Sequence, residues 1–352
     1  MFVKCVGSVC FMDGIFEKYA DSTPDDPDHS STYQYISSDF HNRFLAGTSE
    51  KGDRAKEHVV LKGSPAIPDL LIGVQYQSSL RYGILGLASS EAGVRGDQDS
   101  LISRLVQQES IRSRAYSVSF NDGFGSRASI LFGGLDVEKF SGDLVKLPSI
   151  QRGPIPSYLG SVELKSAGIS GTRYTAPPWP WANRLNVFID TGSNAITLPG
   201  LVLARVYRTL NARPQSNGEV YVDCSLRAST KTLDFVFIGV TIRIPLRDLI
   251  HFTVVNGMPR CPLRGLQQSP SQPVPLIFGT PFLRHAYVIF DLDNKQLFMA
   301  QSRLTRRSKI FEIPAGPDSV LRIKPDLGWD SVRAAEDIQP TQSRTTNIRN
   351  EL

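Results

Sequence analysis

The segment Val187-Phe188-Ile189-Asp190-Thr191-Gly192-Ser193 carries most of the information about the fold of this chain. Three apolar residues, as in a buried β-strand, lead directly into an aspartate and then into a turn that contains glycine. Glycine allows the backbone to turn tightly, and the neighbouring hydroxyl and amide groups can hold a carboxylate by hydrogen bonds. The pattern therefore predicts an aspartate held rigidly at the end of a strand.

Two further segments share a pattern of two apolar residues followed by glycine, and they lie at matching places in the two halves of the chain. Ile84-Leu85-Gly86 lies upstream of Asp190, and Ile277-Phe278-Gly279 lies downstream. A third feature is the segment 129–136, which begins with a predicted strand at 129–132 and is followed by Gly142. A single Asp-Thr-Gly triplet occurs often by chance, whereas several such features in a fixed order along the chain rarely do.

Composition places the chain among folded globular proteins and excludes several functions. Its 352 residues are 41% hydrophobic and 21% charged, and this length suffices for one large or two ordinary domains. No run approaches the roughly 20 apolar residues of a membrane span. The formal net charge of +5 is scattered along the chain, without the basic stripe of a nucleic-acid binder. The five histidines show no metal-ligand spacing and no phosphate loop is present, so neither a metal nor a cofactor is expected.

Short runs rich in β-branched and aromatic residues dominate the chain and predict an all-β or β-dominated fold. The clearest predicted strands are 116–120, 129–132, 234–238, 240–245 and 287–290. Helical periodicity is confined to two segments, 99–108 and 200–210.

The four cysteines, Cys5, Cys10, Cys224 and Cys261, leave two interpretations open. They form two bridges in an oxidising compartment, or they are four separate buried thiols. The first residues, Met1 to Cys5, have no apolar core and no small-residue cleavage site, so we expect no signal peptide in this chain.

Taken together, these motifs resemble the pepsin-like aspartic peptidases, particularly their secreted fungal members, over residues 1 to about 320. The resemblance implies an all-β, bilobal acid-protease fold in which Asp190 is catalytic and Thr191, Gly192 and Ser193 support its loop. It also implies that the two apolar-apolar-Gly segments are strands that cross the catalytic loops of the two lobes. It further pairs Cys5 with Cys10 and Cys224 with Cys261.

This sequence departs from the family pattern in two places. The family carries a first Asp-Thr-Gly loop upstream of the position that Cys5 occupies here, and the residues before Cys5 in this sequence contain no such loop. We therefore expect the first lobe to be incomplete and the chain as given to be inactive. In the flap, Phe44, Gly47 and Thr48 match the family pattern, but Phe44 replaces a tyrosine and Ala46 replaces a polar residue. Truncation of the sequence explains the missing loop alone, whereas a degenerate homologue explains both differences.

The expected organisation has three parts. Residues 1–148 form the remainder of the first lobe with its flap, residues 149–320 form the second lobe with Asp190, and residues 321–352 form a polar, disordered tail. The expected function is that of an aspartic-type endopeptidase, with a non-catalytic peptide-binding pseudopeptidase as the alternative. We expect a monomer, acting on peptides or proteins, in an extracellular or vacuolar compartment, without a nucleic-acid partner or a membrane span.

Overall fold

The computed structural model of the chain describes residues 3–6, 30–43, 49–61, 65–78, 85–87, 100–120, 128–148, 160–171, 185–269, 276–323 and 332–334. These residues are mostly in β-strands, which confirms the prediction of an all-β fold. Within this described part, no helix is long and apolar enough to cross a membrane.

The described strands and helices are short. The strands are β1 (Val3–Val6), β2 (Gln34–Arg43), β3 (Ser49–Val60), β4 (Ala66–Ser78), β5 (Ala115–Phe120), β6 (Ala128–Phe132), β7 (Gly134–Asp136), β8 (Phe140–Leu147), β9 (Ser161–Leu164), β10 (Ser166–Ile169), β11 (Leu185–Ile189), β12 (Ile196–Leu198), β13 (Arg213–Pro214), β14 (Val220–Tyr221), β15 (Thr232–Val236), β16 (Thr241–Pro245), β17 (Thr253–Val255), β18 (Met258–Arg260), β19 (Leu266–Gln268), β20 (Leu276–Phe278), β21 (Ala286–Asp291), β22 (Gln296–Ser302), β23 (Ile310–Glu312) and β24 (Val332–Ala334). The helices are α1 (Leu101–Gln107), α2 (Gly200–Thr209), α3 (Leu246–Leu249) and α4 (Thr280–Leu283), with 3-10 turns at Val137–Lys139 and Cys224–Ala228.

The largest sheet joins the two halves of the chain. Its seven strands follow the order β1-β6-β5-β21-β22-β8-β24, so β21 and β22 from the second half lie between strands of the first half. Successive residues of β21 alternate between two hydrophobic clusters: Val288 and Phe290 belong to the larger cluster, and Tyr287 and Ile289 to the smaller. Because side chains of a strand point alternately to opposite faces, this sheet is covered by apolar core on both sides.

A second sheet positions the Asp-Thr-Gly segment. Its strand order is β19-β12-β20-β11-β9, and a neighbouring three-stranded sheet follows the order β10-β15-β16. Phe235 of β15 packs edge-on against Phe278 of β20, with ring centroids 4.8 Å apart, and Phe282 of α4 lies 4.9 Å from the Phe278 ring. This aromatic cluster packs β20 against β15 and α4.

The upstream sheet β2-β3-β4 belongs to the first half of the chain. The predicted flap residues Phe44, Gly47 and Thr48 fall between β2 and β3, outside the described residues. Leu85 and Gly86 of the upstream apolar-apolar-Gly segment are described, but Ile84 is not.

The structure contains the disulfide between Cys224 and Cys261, whose Cα atoms are 5.3 Å apart. The bond closes a separation of 37 residues and ties the 3-10 turn at Cys224 to the segment that follows β18. Cys10 and the side chain of Cys5 lie outside the described residues, so their pairing stays a prediction.

The boundaries at residues 148 and 320 also stay predictions. Near the second one, Val320 and Ile323 are buried in the smaller hydrophobic cluster. Within the segment predicted as a disordered tail, Val332–Ala334 forms β24 and pairs in parallel with β8.

Candidate active site

Asp190 lies immediately after β11, an inner strand of the five-stranded sheet that lies between β20 and β9. β11 pairs in parallel with β20, where Ile189 lies opposite Phe278, and in antiparallel with β9. Val187 and Ile189 are buried, whereas Phe188 and Asp190 are half-buried. The alternation of the strand therefore places the carboxylate on the face opposite the apolar core.

Backbone hydrogen bonds fix the loop around Asp190. Its N–H donates to the carbonyl oxygen of Phe278 at 3.1 Å, which continues the parallel ladder by one residue. Its carboxylate oxygen Oδ1 accepts the N–H of Gly192 at 2.9 Å, and its carbonyl accepts the N–H of Ser193 at 3.4 Å. The carboxylate is thus oriented by its own turn, as the sequence predicts.

The segment after β20 is joined to the same loop over three hydrogen bonds. Gly279 N–H donates to Ala195 O at 2.8 Å, and Thr280 donates to Ser193 O through its N–H at 2.7 Å and its hydroxyl at 3.0 Å. A Cβ placed on Gly279 would lie only 2.1 Å from the carbonyl oxygen of Ser193. Only glycine fits here, because any side chain would separate the crossing strand from the loop.

Thr197 also helps to join β12 to β20, and the sequence patterns did not identify it as a site residue. Its buried Oγ1 accepts the N–H of Ile277 at 2.6 Å and donates to the carbonyl of the same residue at 3.4 Å. β12 pairs with β20 at a single position, Ile196 with Phe278, so this side chain extends the contact between the two strands. The only available signal is a polar residue between two apolar ones, and its partner is 80 residues away.

The outer surface of the loop is accessible. Gly192 is exposed, and Thr191 and Ser193 are half-buried. Ser193 Oγ accepts the N–H of Ala195 at 3.3 Å, whereas the Thr191 hydroxyl makes no hydrogen bond to any described residue. The structure therefore brings Asp190, Thr191, Gly192 and Ser193 together, while the predicted flap residues lie outside the described part.

The described residues also contain a titratable pair, the buried His285 and the exposed Asp248, that the sequence does not assign to catalysis. His285 follows α4, and its Nε2 lies 3.4 Å from an Asp248 carboxylate oxygen. Burial lowers the pKa of His285 from 6.5 to about 4, against the opposing influence of Asp248. The described part holds no group of three or more His, Cys, Asp or Glu side chains that could bind a metal.

The arrangement can hold one carboxylate in a fixed orientation beside an accessible surface. Such a carboxylate can accept a proton from water or return one to a reacting oxygen. Two facing carboxylates share one proton, and this shared state supplies the acid and the base together.

Comparisons with known proteins agree with this geometry. The family model "Asp: Eukaryotic aspartyl protease" matches residues 19–302. The chain is 32% identical over 312 residues to "Probable aspartic-type endopeptidase opsB" of Aspergillus fumigatus, covering 84% of this chain and 62% of that relative. It is 29% identical over 296 residues to "Secreted aspartic protease 5" of Candida albicans, covering 82% of this chain and 66% of that relative. The chain thus spans about three fifths of the length of the first of these relatives.

A solved structure shows the same fold. The crystal structure of the aspartic proteinase from Irpex lacteus aligns with a TM-score of 0.65 at 20% identity, covering 85% of this chain and 89% of that one. The β-strand architecture is therefore that of a pepsin-like fold. This chain belongs to the eukaryotic aspartyl protease family.

Proposed function

We propose that this chain is part of an aspartic-type endopeptidase in which Asp190 is one of two carboxylates that activate a water molecule. The observation that carries the proposal is the pair of contacts at Asp190, from its N–H to Phe278 O and from Gly192 N–H to its Oδ1. These contacts hold a carboxylate at the edge of a packed sheet, on an accessible loop, in a chain of this family. Pre-organised orientation of this kind is what proton transfer in a transition state requires.

In the proposed reaction one carboxylate acts as the general base and the other as the general acid. The ionised one takes a proton from the water that attacks the peptide carbonyl carbon, and the protonated one gives its proton to the carbonyl oxygen. Gly192 orients the Asp190 carboxylate, and Ser193 O receives the two hydrogen bonds from Thr280 that lock the loop.

We further propose that these 352 residues do not hydrolyse peptides by themselves. The sequence contains one Asp-Thr-Gly triplet, and no other aspartate in it has both the apolar lead-in and the Thr-Gly-Ser continuation. Loss of one member of a coupled catalytic unit commonly reduces the rate by several powers of ten. A second carboxylate facing Asp190 is therefore required for activity.

The proposed substrates are peptides or proteins in an extracellular or vacuolar compartment, and the proposed state is a monomer. Support for the compartment comes from the Cys224–Cys261 disulfide, because such bonds persist in oxidising environments. The name of the Candida albicans relative, "Secreted aspartic protease 5", agrees with this location.

A quenched-fluorescence peptide library between pH 3 and 7 tests the function. We expect the 352-residue chain to show no inhibitor-sensitive activity, that is, no peptide cleavage that a statine-type inhibitor blocks. In a form extended by a second Asp-Thr-Gly loop, we expect inhibitor-sensitive cleavage that Asp190→Asn abolishes. The matched control is Asp293→Asn, which removes a carboxylate that pairs with Arg114 instead. If Asp190→Asn keeps a tenth of the extended form's rate, Asp190 is not a dyad member.

A non-catalytic peptide-binding role is the second candidate, and the flap sequence favours it. Phe44 has no hydroxyl where the family pattern has a tyrosine, and Ala46 cannot donate the usual polar contact. Calorimetry with the statine-type inhibitor separates the two roles. Binding to both forms without cleavage by the extended form supports the binding role and contradicts the peptidase.

A further inference from the structure

A β-hairpin in the second half of the chain has an apolar tip that nothing in the described structure covers. We define the tip hairpin as Phe252, β17, the turn at Asn256-Gly257 and β18. The turn residues have φ values of 52° and 75°, which is the geometry of a tight two-residue hairpin, and Asn-Gly is the sequence that favours it. The sequence therefore specifies this hairpin strongly, although it serves no part of the site at Asp190.

The tip hairpin exposes an unusual concentration of large apolar side chains. Phe252 is 54% exposed, Val254 58%, Val255 44% and Met258 61%. These are four of the nine large apolar residues that the described part of the chain exposes, and they lie within seven consecutive positions. Clustered exposure of this kind marks an interaction surface, whereas single exposed apolar residues do not.

The apolar residues lie on both faces of the tip hairpin. Val255 is opposite Met258, and Val254 is opposite Pro259 in the antiparallel register. Consecutive pairs in a two-stranded ribbon face opposite sides, so both sides carry apolar surface. A protein partner that covers one face would leave the other in water, whereas a lipid interface surrounds the tip on all sides.

The base of the tip hairpin is rigid and needs no ordering on binding. Cys261 follows β18 directly and is bonded to Cys224. His251 N–H donates to Pro262 O at 2.9 Å, and Val222 N–H donates to Cys261 O at 3.0 Å. A pre-organised tip loses little conformational entropy when it inserts.

The sequence around the tip hairpin has an excess of basic residues. The chain has no Asp or Glu between Asp248 and Asp291, and residues 201–264 carry nine Arg and Lys against four Asp and Glu. Arg227 lies 5.6 Å from the centroid of the Phe252 ring, and Arg260 lies 5.9 Å from that of Tyr221. Arg227 thus lies beside Phe252, and Arg260 is the last residue of β18, so both flank the base of the apolar tip.

We propose that the tip hairpin inserts Val254, Val255 and Met258 into the surface of a membrane that contains anionic lipids, with Arg227 and Arg260 contacting the lipid phosphates. Apolar side chains gain free energy by leaving water, and each Arg near an anionic surface adds electrostatic attraction. The protein then works at the membrane surface without spanning it. This binding does not depend on Asp190 or on peptide hydrolysis.

Co-sedimentation of the full chain with vesicles tests the proposal. We expect binding to phosphatidylcholine vesicles that contain phosphatidylserine and weaker binding to phosphatidylcholine alone. The double variant Val255→Thr, Met258→Gln should lower the partition coefficient by more than about tenfold on both vesicle types. Arg260→Gln should lower it by about fivefold on the phosphatidylserine vesicles only.

Two control variants distinguish binding through the tip hairpin from non-specific hydrophobic or electrostatic binding to the vesicles. Leu201→Gln changes a residue of α2 that is 59% exposed, and it should leave binding unchanged. The variant Arg306→Gln, Arg307→Gln removes two exposed charges elsewhere and should reduce binding less than Arg260→Gln does. All substituted positions are exposed, and retention of the wild-type circular dichroism spectrum shows that each variant folds.

Three results would overturn the proposal. One is the absence of wild-type binding to the phosphatidylserine vesicles, and another is equal binding of the Val255→Thr, Met258→Gln variant. The third is a dimer in gel filtration that this variant converts to a monomer, because the tip hairpin is then an interface between two copies of the chain.

Discussion

Gly279→Ala is the sharpest perturbation of the loop that holds Asp190. The new methyl group would lie 2.1 Å from Ser193 O, 2.6 Å from its carbonyl carbon and 2.7 Å from its Cβ. Two of these are backbone atoms, so no side-chain rotation relieves the clash, and the crossing strand has to move away by roughly 1 Å to reach ordinary contact distance. Overpacking of this kind costs about 1–3 kcal/mol.

The same movement disturbs two hydrogen bonds, from Gly279 N–H to Ala195 O and from Thr280 N–H to Ser193 O. Each contributes about 0.5–1.5 kcal/mol. We therefore expect Gly279→Ala to lower the free energy of unfolding by about 2–6 kcal/mol. Guanidinium unfolding followed by circular dichroism measures this, and amide hydrogen exchange at Asp190 and Thr280 should quicken.

The matched control is Gly86→Ala in the upstream apolar-apolar-Gly segment. A Cβ on Gly86 would meet no heavy atom within 4 Å in the described structure. Its substitution should change the free energy of unfolding by less than about 0.5 kcal/mol, as exposed substitutions do. If Gly279→Ala is as mild as Gly86→Ala, the close contact between the crossing strand and the Asp190 loop is absent in solution and our account of the site fails.

Three further expectations follow from the same structure. Thr197→Val should lower the free energy of unfolding by about 1–3 kcal/mol because Ile277 N–H loses its acceptor, and Thr197→Ser should restore it in denaturant titrations. Replacing Cys224 and Cys261 by serine should cost roughly 3–4 kcal/mol, and a fall below 1 kcal/mol would contradict the loop-closure argument. Because the folded pKa of His285 is lowered to about 4, stability should fall as pH drops from about 6.5 to 4, by up to about 1.4 kcal/mol per pH unit. Thermal melts of His285→Gln should lack this slope.

Local sequence patterns predicted the elements near Asp190 well. The segments 99–108 and 200–210 became α1 and α2, and β11 ends where the Asp-Thr-Gly turn begins. The predicted strand 234–238 instead runs over Thr232–Val236 as β15. Phe237 leaves the strand because its N–H donates to Val240 O across the turn at Gly239, while the polar Thr232 and Asp234 are retained by their pairing with β16.

Contacts between residues far apart in the sequence could be predicted only from the resemblance to the aspartic peptidases, and some could not be predicted at all. No local pattern shows that Ile277-Phe278-Gly279 lies beside a loop more than 80 residues earlier, since that contact depends on the order of strands in the sheet. The sequence patterns did not predict β17 and β18, and the apolar residues Val254, Val255 and Met258 do not by themselves show that their side chains are exposed. Exposure is a property of what packs nearby, and sequence periodicity does not report it.

The structure separates how the Asp190 loop is held from what its chemistry needs. Every contact described above that orients Asp190 comes from residues 185–280, namely Phe278, Gly192, Ser193 and Thr280. These contacts hold the loop from within the second half of the chain. Proton sharing, in contrast, requires a facing carboxylate, and no rigidity of Asp190 alone replaces it. Substitutions at Gly279 and Thr197 thus report on the integrity of the loop, whereas substitution of Asp190 reports on catalysis, and the two effects can be measured independently in one protein.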